Sequence, residues 1–240
     1  LLQFREAIEL DCEAFVTDAI SFMKQNNVRR IVVVDNSQNK KILGVLTVDE
    51  VLHHILNNTT ETKLKYAVLR EPIIMKNFDI KVFIKEMLSK NTDNIIIDTE
   101  KVRYIVTYKD LIRLIDWSRS DDTITSIAKK AISVERYTKI RTAISLMLNH
   151  KIRHLPVYED TLYGIISARD IVYKYLELDL NNDDVSKIMV INVFNVSPDD
   201  KIYDVVTELM KRDIGSVIVD ERQIVTLKDL LEYALKKLIR

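Results

Sequence analysis

At 240 residues, with 47% hydrophobic and 30% charged side chains, the chain has the composition of a globular protein able to bury substantial cores. Its 36 Lys and Arg balance its 36 Asp and Glu, and a formal net charge of zero argues against nucleic acid or an anionic membrane surface as the main partner. Cys12 is the only cysteine, which excludes an intrachain disulfide framework and a thiolate metal cluster. No stretch approaches the length of a transmembrane helix and no secretory signal pattern opens the chain, so cytoplasmic residence is expected. The first residue is Leu1 rather than Met, and a few residues are expected to precede it.

Taken in chain order, a short extended segment, Ile8-Glu9-Leu10, leads into apolar residues at Val16, Ala19, Ile20 and Met23. The i, i+3, i+4, i+7 spacing predicts a helix with one buried face. The quartet returns as Ile80, Phe83, Ile84, Met87, then as Ile140, Ala143, Ile144, Met147, and finally as Ile202, Val205, Val206, Leu209. A β-branched run follows each one: Ile31–Val34, Ile95–Ile97, Leu155–Val157 and Val217–Val219. These runs suit strands buried on both faces. A second strand is predicted after each turn, at Ile42–Leu46, Val102–Val106, Leu162–Ile166 and Gln223–Val225, and a second helix then begins, as in Ile171-Val172 with Tyr175-Leu176.

At every strand-to-helix junction a hydroxyl is followed three residues later by a carboxylate. The pairs are Thr47 with Glu50, Thr107 with Asp110, Ser167 with Asp170 and Thr226 with Asp229, at steps of 60, 60 and 59 residues. The chain is therefore a fourfold helix–strand–strand–helix repeat. A lone unit leaves apolar surface exposed, so the repeats should pack in pairs. The polar run Ser118–Asp122 marks a seam between one pair of repeats (about 1–60 and 61–118) and another (about 121–180 and 181–240).

The segments Ala143–Met147, Ile152–Val157 and Gly164–Asp170 carry a resemblance to the cystathionine-β-synthase (CBS) motif family, and their register recurs in all four repeats. The resemblance implies an α/β fold of four βαββα motifs, paired into two pseudo-twofold modules (1–118 and 119–240) that pack as a disc. The layout resembles that of the gamma subunit of AMP-activated protein kinase. It also implies a non-catalytic regulatory protein that binds AMP, ADP or ATP, or alternatively S-adenosylmethionine, between paired motifs and signals to a protein partner or through a homodimer. The family's carboxylate binds ribose hydroxyls, a role that falls to Asp110, Asp170 and Asp229, with Glu50 as a longer substitute. Thr47, Thr107, Ser167 and Thr226, with the helix N–H groups, face phosphate.

Phosphate also requires cations. Arg29 and Arg30 in repeat one and Arg153 and His154 in repeat three stand at the start of a strand, and Arg169 lies within the third hydroxyl–carboxylate pair. Repeats two and four carry Asp93-Asn94 and Gly215-Ser216 instead. One anion site per sequential pair of repeats is therefore expected, with Asp170, Arg153 and His154 as the leading candidate. Ser/Thr-x-x-Glu is equally the helix capping box, so the hydroxyl and carboxylate have a purely structural reading beside the functional one. His53 and His54 are adjacent on a helix and read as solvated rather than as metal ligands, and no metal site is expected. No Walker loop, zinc helix or nucleophile elbow is present, so catalysis is not expected. The alternatives are a nucleic-acid-binding protein and a structural dimerisation module without ligand.

Overall fold

The structure, a computed structural model, describes residues 4–99 and 101–239. The helices are α1 (Val16–Asn26), α2 (Val48–Leu56), α3 (Ile80–Ser89), α4 (Tyr108–Leu114), α5 (Ile140–His150), α6 (Ala168–Lys174), α7 (Ile202–Lys211) and α8 (Leu227–Lys237). They fall two to a repeat, as the periodicity predicts. In the quartets of α1, α5 and α7 all four residues are buried, and in α3 only Ile80 retains partial exposure. Helix α6 is shorter than its apolar pattern, because Tyr175–Glu177 tightens into a 3-10 turn.

Each repeat builds one small sheet. A lead-in strand runs parallel to the first hairpin strand, as Glu9–Asp11 does beside Arg30–Asp35, and the second hairpin strand returns antiparallel. Repeats two, three and four show the same order. The result is the βαββα unit, four times over. The free edge of the second hairpin strand is covered in every case. Arg5–Glu6 pairs with Arg103–Thr107 and Lys129–Lys130 pairs with Gln223–Thr226. In repeats one and three a single bridge serves, from Val45 to Arg70 and from Ile165 to Val190. An exposed strand edge invites association, and these segments close it.

Gly44 and Gly164 make the two single bridges feasible. A Cβ at Gly44 would stand 2.7 Å from Leu69 Cβ, and one at Gly164 would stand 3.0 Å from the Val190 carbonyl. Both glycines lie where the crossing segment presses on the strand, which explains their absence from repeats two and four.

The chain divides into two compact units. One contains Ala7–Pro72 and Ile132–Asn192, that is, repeats one and three. The other contains Ile73–Ala131 and the chain from Val193, with the segment through Glu6, that is, repeats two and four. In the first unit α2 packs on α5 and α6, and α1 packs on α6, over a core including Ile20, Leu52, Ile144 and Ile171. In the second, α8 packs on α3 and α4 over Phe83, Ile112, Leu209 and Leu230. Fully burying a large aliphatic or aromatic side chain contributes about 1.5–3 kcal/mol, so these shared helical faces are a major source of stability. The units are grouped differently from the modules expected at 1–118 and 119–240. The expected seam lies inside one unit, where Ser120 and Asp122 both bond the Tyr233 hydroxyl.

The first helix of every repeat stops at a left-handed residue: Asn27 (φ 50°), Asn91 (φ 48°), Lys151 (φ 54°) and Asp213 (φ 55°). Asn and Asp tolerate this conformation by local hydrogen bonding, whereas Lys151 has a Cβ penalty and no such bond to offset it. Lys151→Gly should therefore stabilise the protein by about 1 kcal/mol, a rise of about 2–4 °C in melting temperature. A thermal melt of parent and variant measures this.

Candidate functional site

All four hydroxyl–carboxylate pairs are reciprocal capping boxes. One carboxylate oxygen accepts both the backbone N–H and the hydroxyl of the helix-starting residue. The two distances are 2.9 and 2.5 Å for Thr47 with Glu50, and 2.8 and 2.7 Å for Thr107 with Asp110. They are 2.9 and 2.6 Å for Ser167 with Asp170, and 2.8 and 2.7 Å for Thr226 with Asp229. The capping reading is correct for every repeat. It accounts for one oxygen of each carboxylate.

The second oxygen separates the copies. Glu50 Oε1 accepts from Arg70 Nε and Nη2 at 3.1 and 2.9 Å, and Asp229 Oδ1 lies 2.5 Å from Lys129 Nζ. The contact with Asp229 also raises the Lys129 pKa. The Glu50 and Asp229 side chains are 11% and 8% exposed. Among the described residues, Asp110 Oδ1 has only Arg113 at 4.0 Å and Asp170 Oδ1 only Arg169 at 3.8 Å as ion-pair neighbours, and their side chains are 24% and 19% exposed. Internal cations thus hold the second oxygen in repeats one and four, and the carboxylate side chains of repeats two and three are the more exposed.

Strand register brings the cations to the same junctions. Arg30 pairs with Thr47 and His154 pairs with Ser167 across their hairpins. One residue earlier, the carbonyls of Arg29 and Arg153 accept from the first helical N–H groups, Val48 and Ala168, at 3.0 and 2.9 Å. These strand-start positions and the hydroxyl–carboxylate pairs are therefore adjacent. The equivalent residues Asp93, Asn94 and Ser216 of the other unit are buried. There Asn94 bonds the Asp93 carboxylate at 3.1 Å.

Repeats one and three contribute to one electropositive cluster. His154 has its pKa pushed down to about 3, first by burial and then by the positive charges of Arg29, Arg153 and Arg169. Arg29 comes from repeat one and the other two from repeat three. The structure also gives Arg153 a partner that sequence reasoning missed. Its Nε and Nη2 grip the Asp49 carboxylate at 2.8 and 2.6 Å. Arg70 Nη2 lies 3.4 Å from the same carboxylate.

His54 corrects an expectation. It is buried, with Nδ1 2.9 Å from the Thr59 hydroxyl and Nε2 accepting the Val68 N–H at 3.3 Å. Its neighbour His53 is exposed, as expected. Among the described residues no group of three or more His, Cys, Asp and Glu side chains is arranged to hold a metal ion. Among the described residues no helix is long and apolar enough to cross a membrane.

A fourfold βαββα repeat with carboxylates and cations gathered at its strand-to-helix junctions defines a class of regulatory ligand-binding module. The CBS domain family matches residues 5–57, 124–177 and 185–236, and the chain belongs to that family. The second repeat lies outside those matches and is recognised by its register and fold. The uncharacterised protein MJ1225 of Methanocaldococcus jannaschii is 24% identical over 258 aligned residues, covering 91% of each chain. Its solved structure matches with a TM-score of 0.83 at 21% identity, over 97% of both chains. A structure from Pyrococcus horikoshii matches with a TM-score of 0.62 at 19% identity, over 96% of both. At these identities the structural matches show the fold.

The His154 shift has a consequence in solution. Its folded value lies below the ordinary 6.5, so the folded state favours the neutral ring. The associated stability is present above pH 6.5 and is lost as pH falls toward about 3. Between pH 6.5 and 4, denaturant midpoints of the parent should therefore fall more steeply than those of His154→Gln, and parallel curves would contradict this.

Proposed function

We propose that the chain is a non-catalytic, cytoplasmic regulatory protein that senses adenine nucleotides and reports their binding to a protein partner. The observation that carries this reading is Asp170. One of its oxygens is spent on the Ser167 cap, and the other is accessible beside the cluster of Arg29, Arg153, Arg169 and His154. An ionised carboxylate accepts both hydroxyls of a ribose, while guanidinium groups accept phosphate in paired charge-assisted bonds. Such bonds contribute about 1.5–3 kcal/mol each, enough for a few of them to decide occupancy. Asp110 supplies a second acceptor, but its capping partner Thr107 stands opposite Asn94, in a repeat with no cation pair at its strand start. A nucleoside fits that environment better than a nucleotide. Glu50 and Asp229 are assigned to the fold.

Membership of the CBS family supports a regulatory role, and the M. jannaschii protein is itself described as a candidate archaeal homologue of the gamma subunit of AMP-activated protein kinase. Signalling is assigned to the shared helical core of repeats one and three, because an anion that draws Arg29 and Arg153 together acts on both repeats at once.

Calorimetric titration with AMP, ADP, ATP and S-adenosylmethionine tests the assignment on the parent and on Asp170→Asn, which keeps an acceptor for the cap and removes the charge. At least one adenine nucleotide should bind the parent and weaken about tenfold or more in the variant, equivalent to about 1.4 kcal/mol. At a hundred times its dissociation constant it should add about 2.7 kcal/mol to stability. Equal binding by both proteins would remove Asp170 from the site, and no binding to the parent would remove the nucleotide.

A further inference from the structure

The second position after each helix-starting hydroxyl is Asp49, Lys109, Arg169 and Lys228 in the four repeats. Three are cations and one is an anion. All four stand at the same turn of the same helix, so the sign change is a local replacement in an otherwise constant frame. In the unit of repeats two and four, these residues reach across to the partner repeat's helix stop. Lys109 Nζ donates to the Asp213 carbonyl and carboxylate at 2.9 and 2.7 Å, and Lys228 Nζ donates to Asn91 Oδ1 at 2.7 Å. In the unit of repeats one and three, Asp49 reaches in the corresponding direction and meets Arg153, just beyond the helix stop at Lys151.

The Asp49–Arg153 contact is side-on and two-pronged, the geometry in which a guanidinium also receives two oxygens of a phosphate. Arg70 Nη2, 3.4 Å away, approaches the same Asp49 Oδ2 that Arg153 Nη2 holds, while anchored on Glu50. Both members of the pair retain access to water, at 28% exposure for Asp49 and 24% for Arg153. The helix start does not depend on the Asp49 side chain. The carboxylate of Glu50 and the hydroxyl of Thr47 complete that cap, and Asp49 contributes only a backbone N–H to it.

We propose that Asp49 is a tethered competing anion, occupying Arg153 in the manner of a phosphate so that an incoming anionic ligand must displace it before using that arginine. The proposal deepens the nucleotide reading and rests on the same cluster, but it concerns the anion alone. Asp49 sets the threshold of the site. Weak anions are left outside, and a ligand with several phosphate oxygens exchanges one carboxylate for them. Displacement also unlatches repeat one from repeat three, because Asp49 and Arg153 lie on different repeats.

The test titrates inorganic pyrophosphate, AMP and ATP into the parent, Asp49→Asn and Asp49→Ala, with melting temperatures confirming that each is folded. Pyrophosphate should bind both variants about tenfold more tightly than the parent, equivalent to about 1.4 kcal/mol. Two variants of different shape guard against a packing effect peculiar to one of them. Pyrophosphate affinity that is unchanged, weakened or undetectable in all three proteins would overturn the proposal, whatever the nucleotides do. Tighter pyrophosphate binding in the variants with no AMP or ATP binding anywhere would uphold the role of Asp49 and overturn the nucleotide reading instead.

Discussion

The structure depends on one recurrent arrangement, a carboxylate that takes the N–H and hydroxyl of a residue three positions before it where a strand becomes a helix. This bond set satisfies donors that a new helix leaves unpaired, and it ties the second helix to the end of the strand before it. Strand register then places the first residue of the preceding hairpin strand opposite the hydroxyl in all four repeats. Whatever side chain occupies that strand position is delivered to the helix N-terminus. Arg30 and His154 occupy it in repeats one and three, and the buried Asn94 and Ser216 in repeats two and four. The fold provides the same stage four times, and individual side chains decide its use.

The repeats have diverged through the second carboxylate oxygen. Arg70 reaches Glu50 because Gly44 lets the Leu69–Arg70 crossing lie against the strand, and Lys129 reaches Asp229 from the strand that covers the neighbouring edge. Edge protection and neutralisation of the carboxylate are thus joined in the same segments. In repeat three the corresponding crossing presents Val190, which has no charge to offer, and Asp170 keeps its outer oxygen. In repeats one and four the segment that closes the sheet edge therefore also supplies the cation that holds the adjoining cap.

Much of this was legible in the sequence because it is local. The helical quartets, the buried strands and the hydroxyl–carboxylate register are short-range patterns, and all four repeats form where their periodicity placed them. The grouping of repeats was not legible. An amphipathic face such as that of α2 announces that it needs a core, but not whether repeat two or repeat three supplies it. His54 misled for a similar reason: its burial depends on Thr59 and the Val68 backbone, which the helix alone does not reveal. Arg70 was invisible because its role comes from a bridge twenty-five residues from its partner strand, at Val45. The reversed sign of Asp49 against Lys109, Arg169 and Lys228 was present in the sequence, and aligning the four repeats on their hydroxyls exposes it.

The central claim is that four identical caps yield unequal receptors, because internal cations have already taken the outer oxygen of two. Carbon-detected NMR of the side-chain carboxylates reads this directly, since each of the four reports on its own second oxygen. On titration with an adenine nucleotide, the Asp170 carboxylate resonance should shift, and those of Glu50 and Asp229 should remain in place. A shift of Glu50 or Asp229 as large as that of Asp170 would contradict the account.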